Sequence, residues 1–349
     1  MSDASPVKVL MLGFGYWGRN LLRNLDASPR CDLVGLCDGR EAARSEAAAK
    51  YPGLKTYADY EDALAKSGAQ AVVIATPSGM HPDHIRTALS AGCHVFVEKP
   101  LAETVEDAVA VTDMARNGGL TLMVGHTFLY NNLVHDVKAR IDSGELGEVF
   151  CTYSQRLNLG RFRQDSDVLW TLAPHDVSIV NYWFSSRPVQ VRAQGHTYVH
   201  KGSGVAEVCY TSMDFDDGRN AHFHLSWLDP QKRRDMVVVG SKKMLVYDDM
   251  NSDQHISLYD KSAEAEHQSE LTSFADHTTR LRAGDLVVPN IKLKEPLAAE
   301  IDHFLKSVQT GQTPLTDGEH AIDVTAVLEA MTKSMQAGGA TVAVEYPAR

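Results

Sequence analysis

The chain has 349 residues, of which 44% are hydrophobic and 23% are charged, and its formal net charge is −11. This composition supplies ample apolar side chains for a packed core and differs from that of a disordered chain. The length exceeds that of one typical domain and predicts two. The acidic balance argues against a general nucleic-acid or membrane-surface binder, although a local arginine cluster could still hold an anionic substrate.

The N-terminus and the cysteines favour a cytoplasmic protein. The first six residues lack the basic start and apolar stretch of a signal peptide. No apolar run approaches the roughly 18 residues that a membrane span needs. The five cysteines are scattered without a CxxC pair, and three fall in or beside apolar strand-like runs. We therefore expect reduced thiols and no membrane association.

The first part of the chain alternates strands and helices. The predicted strands are short apolar runs: Val7–Leu12, Asp32–Cys37, Ala71–Ile74, His94–Val97 and Thr121–Val124. Helical segments separate them, and two of these begin with variants of the capping box, Asp59 with Asp62 and Thr104 with Asp107. This alternation predicts an α/β domain over residues 1–125, a Rossmann-type doubly wound parallel sheet.

After Gly125 the pattern changes. A helix is predicted from Asn131 to about Ser143, and two more finish the chain, from Pro296 and from about Asp317. Strand candidates without intervening helices lie between them: Val149–Arg156, Val189–His200, Val205–Phe215, Asn220–Trp227, Met236–Gly240 and Met244–Asp248. Such a run predicts an α+β domain over residues 126–349, with a large, mainly antiparallel open sheet and flanking helices.

A glycine-rich turn predicts a dinucleotide cofactor. Residues 13–18 read Gly-Phe-Gly-Tyr-Trp-Gly, which matches G-x-G-x-x-G between a strand and a helix. Gly13 allows the tight turn, Gly15 lets the backbone approach a pyrophosphate, and Gly18 allows close helix–strand packing. The helix N-terminus then offers free N–H groups to the phosphates. Phe14, Tyr16 and Trp17 are the remaining members of this predicted cofactor site.

The second strand predicts which cofactor binds. Asp38 follows this strand, 38 − 18 = 20 residues past the last glycine, where a carboxylate binds the ribose diol. A carboxylate would repel a 2′-phosphate, so NAD is favoured over NADP. Arg40 tempers this preference because a nearby arginine can accept that phosphate.

Two further segments follow strands at the ligand-binding edge. In the first, Thr76-Pro77 and His81 could line the nicotinamide ribose, or the segment is a loop in which His81 caps a helix started by proline. In the second, Glu98-Lys99-Pro100 puts an ammonium at the carboxyl end of a buried strand, where nothing about strand stability requires one. We assign Glu98 and Lys99 to the cofactor site.

These motifs, in this order and followed by an antiparallel domain, resemble the glucose–fructose oxidoreductase/inositol dehydrogenase (Gfo/Idh/MocA) family over essentially the whole chain. The resemblance implies NAD(P)-dependent oxidation or reduction of a sugar or cyclitol carbon. It also implies a homodimer or homotetramer formed through the C-terminal sheet.

The resemblance also implies the catalytic residues. Lys99 corresponds to the family's lysine, and a nearby oxidised nicotinamide would disfavour its charge. His175 corresponds to the histidine of the second domain, a residue type suited to a general base. Thr171 stands where the family has an aspartate, so this chain lacks the carboxylate of a strict Lys-Asp-His arrangement. A buried structural histidine is the alternative for His175.

Substrate recognition is predicted around the first strand of the second domain. Residues 156–163 contain three arginines, which suit phosphate oxygens, and Phe162 or Trp170 could cover a base or sugar face. Salt bridges or a subunit contact are the alternative role of these arginines. The predicted substrate-binding residues are Lys99, His126, Tyr130, Arg156, Asn158, Arg161, Arg163, Trp170, Thr171 and His175.

Within the family, the chain looks most like enzymes acting on nucleotide sugars, such as UDP-N-acetylglucosamine 3-dehydrogenases. These oxidise the C3 hydroxyl to a ketone for a partner aminotransferase. A hexose phosphate or inositol is the alternative substrate, and an NAD-binding sensor or scaffold without turnover is the alternative class. No histidine pair has the companions of a zinc site, so we expect no catalytic metal.

Overall fold

The computed structural model describes residues 5–160, 162–163, 166–265 and 279–348. Its contacts divide the chain into two compact units. The first unit comprises the chain as far as Asn131, Lys294–Glu329 and the C-terminal residues from Tyr346. The second unit comprises Asn132–Leu293 and Ala330–Glu345.

The first unit is built on a parallel six-stranded sheet. Its strands are β1 Val7–Leu12, β2 Cys31–Cys37, β3 Thr56–Tyr57, β4 Ala71–Ile74, β5 His94–Glu98 and β6 Leu122–Gly125, in the spatial order β3-β2-β1-β4-β5-β6. The predicted doubly wound sheet is confirmed, with its order reversing between β1 and β4. Only β3 was missed, because two residues carry no periodic pattern.

Helices cover this sheet. They are α1 Tyr16–Ala27, α2 Glu41–Lys50, α3 Tyr60–Ser67, α4 His81–Ser90 and α5 Val105–Asn117. Both predicted caps are confirmed: Asp59 accepts a hydrogen bond from the N–H of Asp62 at 2.8 Å, and Thr104 accepts one from Asp107 at 3.1 Å. These bonds satisfy N–H groups that the first turn leaves free.

The second unit carries a nine-stranded sheet. In chain order its elements are α6 Asn132–Asp142, β7 Val149–Leu157, α7 Val168–Phe184, β8 Gln190–His196, β9 Val208–Asp214, β10 Asn220–Ser226, β11 Arg233–Gly240, β12 Met244–Asp248, β13 Ile256–Ala265, β14 Thr279–Val287 and β15 Val342–Ala343. The order is β14-β13-β12-β11-β7-β10-β9-β8-β15, and among the strands of the described residues only β7 and β10 pair in parallel. The predicted mainly antiparallel sheet is confirmed.

Three parts of this unit were not predicted: the strands β13 and β14, the helix α7, and β15, whose two residues are too few to show a pattern. Strands β13 and β14 lie at one edge of the sheet, where charged residues such as Lys261 and Arg282 interrupt the apolar alternation that marks a strand. Helix α7 is buried along most of its length and therefore lacks the one-sided apolar stripe of a surface helix.

The last two helices revise the predicted domain boundary at residue 125. Helix α8, Pro296–Thr310, packs its apolar face on the first sheet, and the rings of Phe304 and Phe96 are 5.7 Å apart. Helix α9, Gly318–Gln336, supplies Ile322 to the core on the opposite face. Residues 294–329 therefore complete the first unit, because the sheet needs apolar cover on both faces.

Candidate active site

The three glycines of the turn meet three different geometric demands. Gly13 has φ +94°, and a Cβ there would lie 2.6 Å from the carbonyl oxygen of Ala75. A Cβ at Gly18 would lie 2.2 Å from the carbonyl oxygen of Gly13, so only glycine lets the helix begin here. A Cβ at Gly15 would meet no atom within 4 Å, which leaves open space over the turn. This space and the N-terminus of α1, which no side chain caps, fit a pyrophosphate.

The other residues of the turn divide between core and surface. The Phe14 side chain is fully buried in the first unit, so its contribution to a cofactor site is confined to its backbone. Tyr16 is 73% exposed and Trp17 is 43% exposed, at the start of α1. Their rings meet edge to face with centroids 5.9 Å apart. Large exposed aromatic rings beside a glycine turn are available to a ligand.

Asp38 joins the glycine turn to the end of β2. Its carboxylate accepts the N–H of Phe14 at 2.8 Å and that of Arg40 at 2.9 Å. The Arg40 guanidinium also binds both carboxylate oxygens, at 2.8 and 3.0 Å. Burial alone would raise the pKa of Asp38, but these donors outweigh it and hold the pKa below its usual value. These donors favour the ionised carboxylate, which lies beside the glycine turn at the predicted ribose position, while the Arg40 side chain is 63% exposed.

His81 connects the two predicted nicotinamide segments. Its ring is buried, with Nδ1 2.7 Å from the carbonyl oxygen of Pro100 and Nε2 3.0 Å from that of Thr76. The side chain does not cap α4, which excludes the helix-cap alternative. Thr76 and Pro77 follow β4, and the Thr76 hydroxyl lies 3.0 Å from Nδ1 of His84. His81 therefore ties the Thr76 loop to the peptide segment that carries Lys99.

The residues after β5 and β6 are largely buried. Glu98 ends β5, and its carboxyl group lies over Gly125, the neighbouring residue on β6. His126 is 2% exposed and packs edge-on against His320, with ring centroids 5.1 Å apart. Tyr130 lies in the core with its hydroxyl 3.3 Å from that of Thr316. We therefore revise the predicted substrate contacts of His126 and Tyr130, because both side chains pack inside the first unit.

In the second unit, α7 exposes its surface near its N-terminus. Asp167 caps this helix by accepting the N–H of Trp170 at 2.9 Å, and the Thr171 hydroxyl donates to the carbonyl oxygen of Asp167 at 2.7 Å. Thr171 and His175 are both half-buried, although most other residues of α7 are buried. Residues four apart share one face of a helix. The predicted pair therefore lies on a partly accessible face.

Arg156 is paired inside the second unit. Its guanidinium donates two hydrogen bonds to Asp176, both at 3.0 Å, and the two side chains are 7% and 1% exposed. This bidentate pair ties β7 to α7 one residue after His175. It revises the predicted substrate contact of Arg156 in favour of the salt-bridge alternative. Of the other predicted residues, Asn158 is half-buried after β7, and Arg161 lies outside the described residues.

The second unit also contains a cavity of about 240 Å³. Its wall consists of Phe162, Arg163, His200, Ser203, Val205, Glu207 and Trp227. The rings of Phe162 and Trp227 meet edge to face with centroids 6.0 Å apart. The cavity adjoins the start of α7, because the carbonyl oxygen of Ala206 accepts the N–H of Val168 at 2.9 Å.

Glu207 anchors one wall of the cavity. Its carboxylate accepts N–H groups of Tyr198, Val199 and His200 at 2.7–2.8 Å. Burial would raise the pKa of Glu207, but these donors and the His200 ring outweigh it and lower the pKa to about 2. Glu207, His200 and Trp227 were not predicted. Trp227 directly follows β10, which pairs in parallel with β7, so the ends of both strands reach the same edge of the sheet. The sequence does not show which strands pair, so it could not bring Trp227 to the segment after β7.

Within the described residues, no group of three or more His, Cys, Asp or Glu side chains is arranged to hold a metal ion. None of the helices in the described part of the chain is long and apolar enough to cross a membrane.

Comparison with protein families identifies two matching regions. Residues 7–126 match the model described as "Oxidoreductase family, NAD-binding Rossmann fold", and residues 134–246 match "GFO/IDH/MocA C-terminal domain". The regions correspond to the parallel sheet and to a large part of the antiparallel sheet. The first match identifies the dinucleotide site as one for NAD.

Curated relatives are similar to the chain at moderate identity. A 4-carboxy-2-hydroxymuconate-6-semialdehyde dehydrogenase from a Sphingobium species is 32% identical over 230 residues, 60% of this chain and 73% of that protein. The scyllo-inositol 2-dehydrogenase (NAD(+)) of Bacillus subtilis is 26% identical over 345 residues, 95% of each protein. The D-glucoside 3-dehydrogenase of Escherichia coli is 30% identical over 159 residues, 44% of each protein.

Solved structures share the fold. A protein of gentamicin A biosynthesis in complex with NAD has a TM-score of 0.82 and 19% identity, with 99% of this chain and 98% of that chain covered. A UDP-N-acetylglucosamine 3-dehydrogenase from Acidithiobacillus ferrooxidans has a TM-score of 0.75 and 24% identity, with 95% and 98% covered.

Proposed function

Because the chain belongs to the GFO/IDH/MocA oxidoreductase family, we propose that it oxidises C3 of UDP-N-acetylglucosamine or a related UDP-sugar. The family and its Rossmann domain make the chain a sugar or polyol oxidoreductase that uses a nicotinamide cofactor. The UDP-sugar and the carbon oxidised are the specific parts of the proposal.

The observation that carries the choice of substrate is the aromatic cavity of the second unit. At about 240 Å³ it is smaller than the roughly 300–1,000 Å³ of complete ligand pockets, so it suits one part of a larger ligand. Phe162 and Trp227 offer ring surfaces for a planar base. Arg163 lies in the same wall, and a guanidinium suits phosphate oxygens. A uridine diphosphate has both groups, whereas an inositol has neither.

The proposed chemistry separates a hydride from a proton. NAD, when bound, accepts the hydride that leaves the sugar carbon. The hydroxyl proton must leave from the oxygen as the ketone forms. We assign its removal to His175, with Lys99 donating a hydrogen bond to the reacting oxygen. Thr171 has no carboxylate with which to orient His175 as an aspartate would, so the two residues share this task without an acidic partner.

The test is turnover with a panel of substrates. The protein is mixed with NAD and, in turn, UDP-N-acetylglucosamine, other UDP-sugars, hexose phosphates and inositols, and NADH absorbance is followed. We expect the highest kcat/KM with a UDP-sugar, and a C3 ketone in the product by NMR. Equal kcat/KM for N-acetylglucosamine and for UDP-N-acetylglucosamine would contradict binding of the uridine diphosphate in the cavity. Binding of NAD without turnover of any substrate would favour a sensor or scaffold.

Variants test the two assigned residues. Lys99→Ala and His175→Asn are each expected to lower kcat by about 10²-fold or more, the range typical of lost acid–base groups. Both should still bind NAD, because the glycine turn and Asp38 stay intact; loss of the Lys99 contact should weaken that binding without abolishing it. Lys55→Ala, at an exposed position of the first unit, is the matched control and should keep full activity. Unchanged turnover of the Lys99 variant would refute its assignment.

One observation favours a second substrate class. The inositol dehydrogenase of Bacillus subtilis aligns over 95% of both proteins, so a cyclitol is the second candidate. The same substrate panel distinguishes the UDP-sugar from the cyclitol. A higher kcat/KM for scyllo- or myo-inositol than for every UDP-sugar would favour the cyclitol. Phe162→Ala separates the candidates further, because it should raise KM for a UDP-sugar and leave an inositol unaffected.

We also propose a homodimer or homotetramer formed through the exposed face of the second sheet. Tyr153 on β7 is 43% exposed and Tyr210 on β9 is 49% exposed, and half-buried Val237 and Val246 lie on the same face of neighbouring strands. An apolar sheet face of this kind suits a second copy of the chain. Light scattering is expected to show a dimer or tetramer that Tyr153→Glu dissociates. Met250→Glu, in an exposed turn, is the control; a monomeric wild type would contradict the proposal.

A further inference from the structure

The first unit buries two carboxyl groups that the proposed proton transfer does not use. Glu98 is 7% exposed, and Glu300 on α8 is fully buried. A methyl group at Gly125 would lie 3.3 Å from the Glu98 carboxyl carbon, and Thr127 donates its hydroxyl to Glu300 at 2.7 Å. Both carboxyl groups therefore face the same short segment after β6. The Oε1 atom of each has no hydrogen-bond partner.

Few positive charges surround this pair. Lys99 adjoins Glu98 in the chain. The titratable groups packed nearby include His126, Tyr130, His303, Asp317 and His320. Helix α8 also carries Asp302 and Lys306, but both are exposed. Burial lowers the pKa of His126 well below its usual value and that of His320 to about 4, so both rings are neutral at pH 7. Lys99 is thus the nearest cation identified within the described residues, and it cannot balance two carboxylates.

Two buried carboxylates facing one segment are costly when both are ionised. Burial raises the pKa of Glu98 to about 7. Burial and the negative charge of Glu98 both raise the pKa of Glu300 well above its usual value. Protonation of one member relieves the repulsion, as it does in paired catalytic carboxyl groups. The pair therefore retains at least one proton at neutral pH.

We propose that the pair formed by Glu98 and Glu300 releases a proton to solvent when oxidised NAD binds, and so provides a negative charge for the nicotinamide ring. The strand order supports this, because ligands of such sheets bind across the point where the order reverses, between β1 and β4. With the pyrophosphate at the glycine turn of β1, the nicotinamide half extends towards β4 and β5, where Glu98 lies. A positive ring there stabilises the ionised pair, whereas reduced nicotinamide is uncharged and does not.

The test is calorimetry of cofactor binding at pH 7 in buffers that differ in ionisation enthalpy. The slope of binding enthalpy against ionisation enthalpy gives the protons released. We expect wild-type protein to release roughly half a proton or more per NAD, because a group with pKa about 7 is half protonated there. NADH should release much less. The inference rests on the NAD site of the proposed function but not on its sugar, and no sugar is present.

The variants decide which groups supply the proton. Glu98→Gln/Glu300→Gln keeps the side-chain shapes and should abolish the release, whereas Glu106→Gln, on the exposed side of α5, should retain it. Glu98→Gln alone is the substitute should the double variant not fold. Lys99→Ala should still release the proton. Release that survives in the double variant but disappears in Lys99→Ala would overturn the proposal and identify the lysine as the source.

Discussion

The buried pair of Arg156 and Asp176 offers the sharpest test of how the second unit is built. Replacing Arg156 by Met leaves the Asp176 carboxylate, 1% exposed, without its two guanidinium hydrogen bonds. Breaking a buried ion pair in this way costs about 3–5 kcal/mol. That is a large fraction of the roughly 5–15 kcal/mol by which proteins are stable. We expect Arg156→Met to lower the free energy of unfolding of the second unit by this amount.

The double variant separates pairing from packing. In Arg156→Met/Asp176→Leu no charge remains buried at this position. Replacing a whole buried ion pair by apolar residues is often neutral or stabilising. The double variant should therefore recover most of the stability that Arg156→Met loses. Arg192→Met is the control, because its ion pair with Asp214 is half exposed, and it should cost at most about 1 kcal/mol.

Urea unfolding followed by tryptophan fluorescence suits this measurement. Three of the four tryptophans, Trp170, Trp183 and Trp227, belong to the second unit, so the signal reports mainly on it. A cost for Arg156→Met no larger than that of the Arg192 control, together with a raised KM for the sugar, would refute the reasoning. That outcome would indicate that Arg156 contacts the substrate.

Four further predictions concern the first unit. Gly15→Ala should change the free energy of unfolding by no more than about 0.5 kcal/mol, because the added Cβ meets no protein atom. The same Cβ enters the space over the turn where the pyrophosphate is expected, so NAD binding measured by calorimetry should weaken. Gly18→Ala should instead cost about 1–3 kcal/mol in urea unfolding, since its Cβ would lie 2.2 Å from a backbone oxygen. Asp38→Ala should raise the ratio of NADP to NAD affinity by releasing Arg40 for a 2′-phosphate, and an unchanged ratio would contradict this. The pKa of Glu98 is about 7 in the folded protein, against an ordinary 4.5. The folded state therefore holds this proton more tightly than the unfolded state, and stability falls as pH rises from about 4.5 to 7. Glu98→Gln lacks this loss, so it should unfold at a higher temperature than wild type, by a margin that grows from about pH 5 to pH 7.

Local features were predictable because neighbouring residues decide them. The capping bonds of Asp59 and Thr104 span three residues, and the strand and helix that flank the glycine turn are adjacent in the chain. The antiparallel character of the second sheet also followed from the sequence, because its strand candidates succeed one another without intervening helices. Strand β14 escaped prediction because an edge strand buries less of its surface, which leaves its pattern weak.

Contacts between distant residues were decided only by the tertiary structure. The sequence alone predicted functional roles for the glycine turn and Asp38 from their types and spacing, and for Lys99 and His175 through the resemblance to the family; these roles stay predictions. It left the role of Arg156 open, since a guanidinium suits a phosphate and a carboxylate equally well, and only the packing of α7 on the sheet supplied Asp176 as its partner. The burial of Glu300 behind the Glu98-Lys99 segment is likewise a result of packing, because α8 returns to the first sheet about 200 residues after β5.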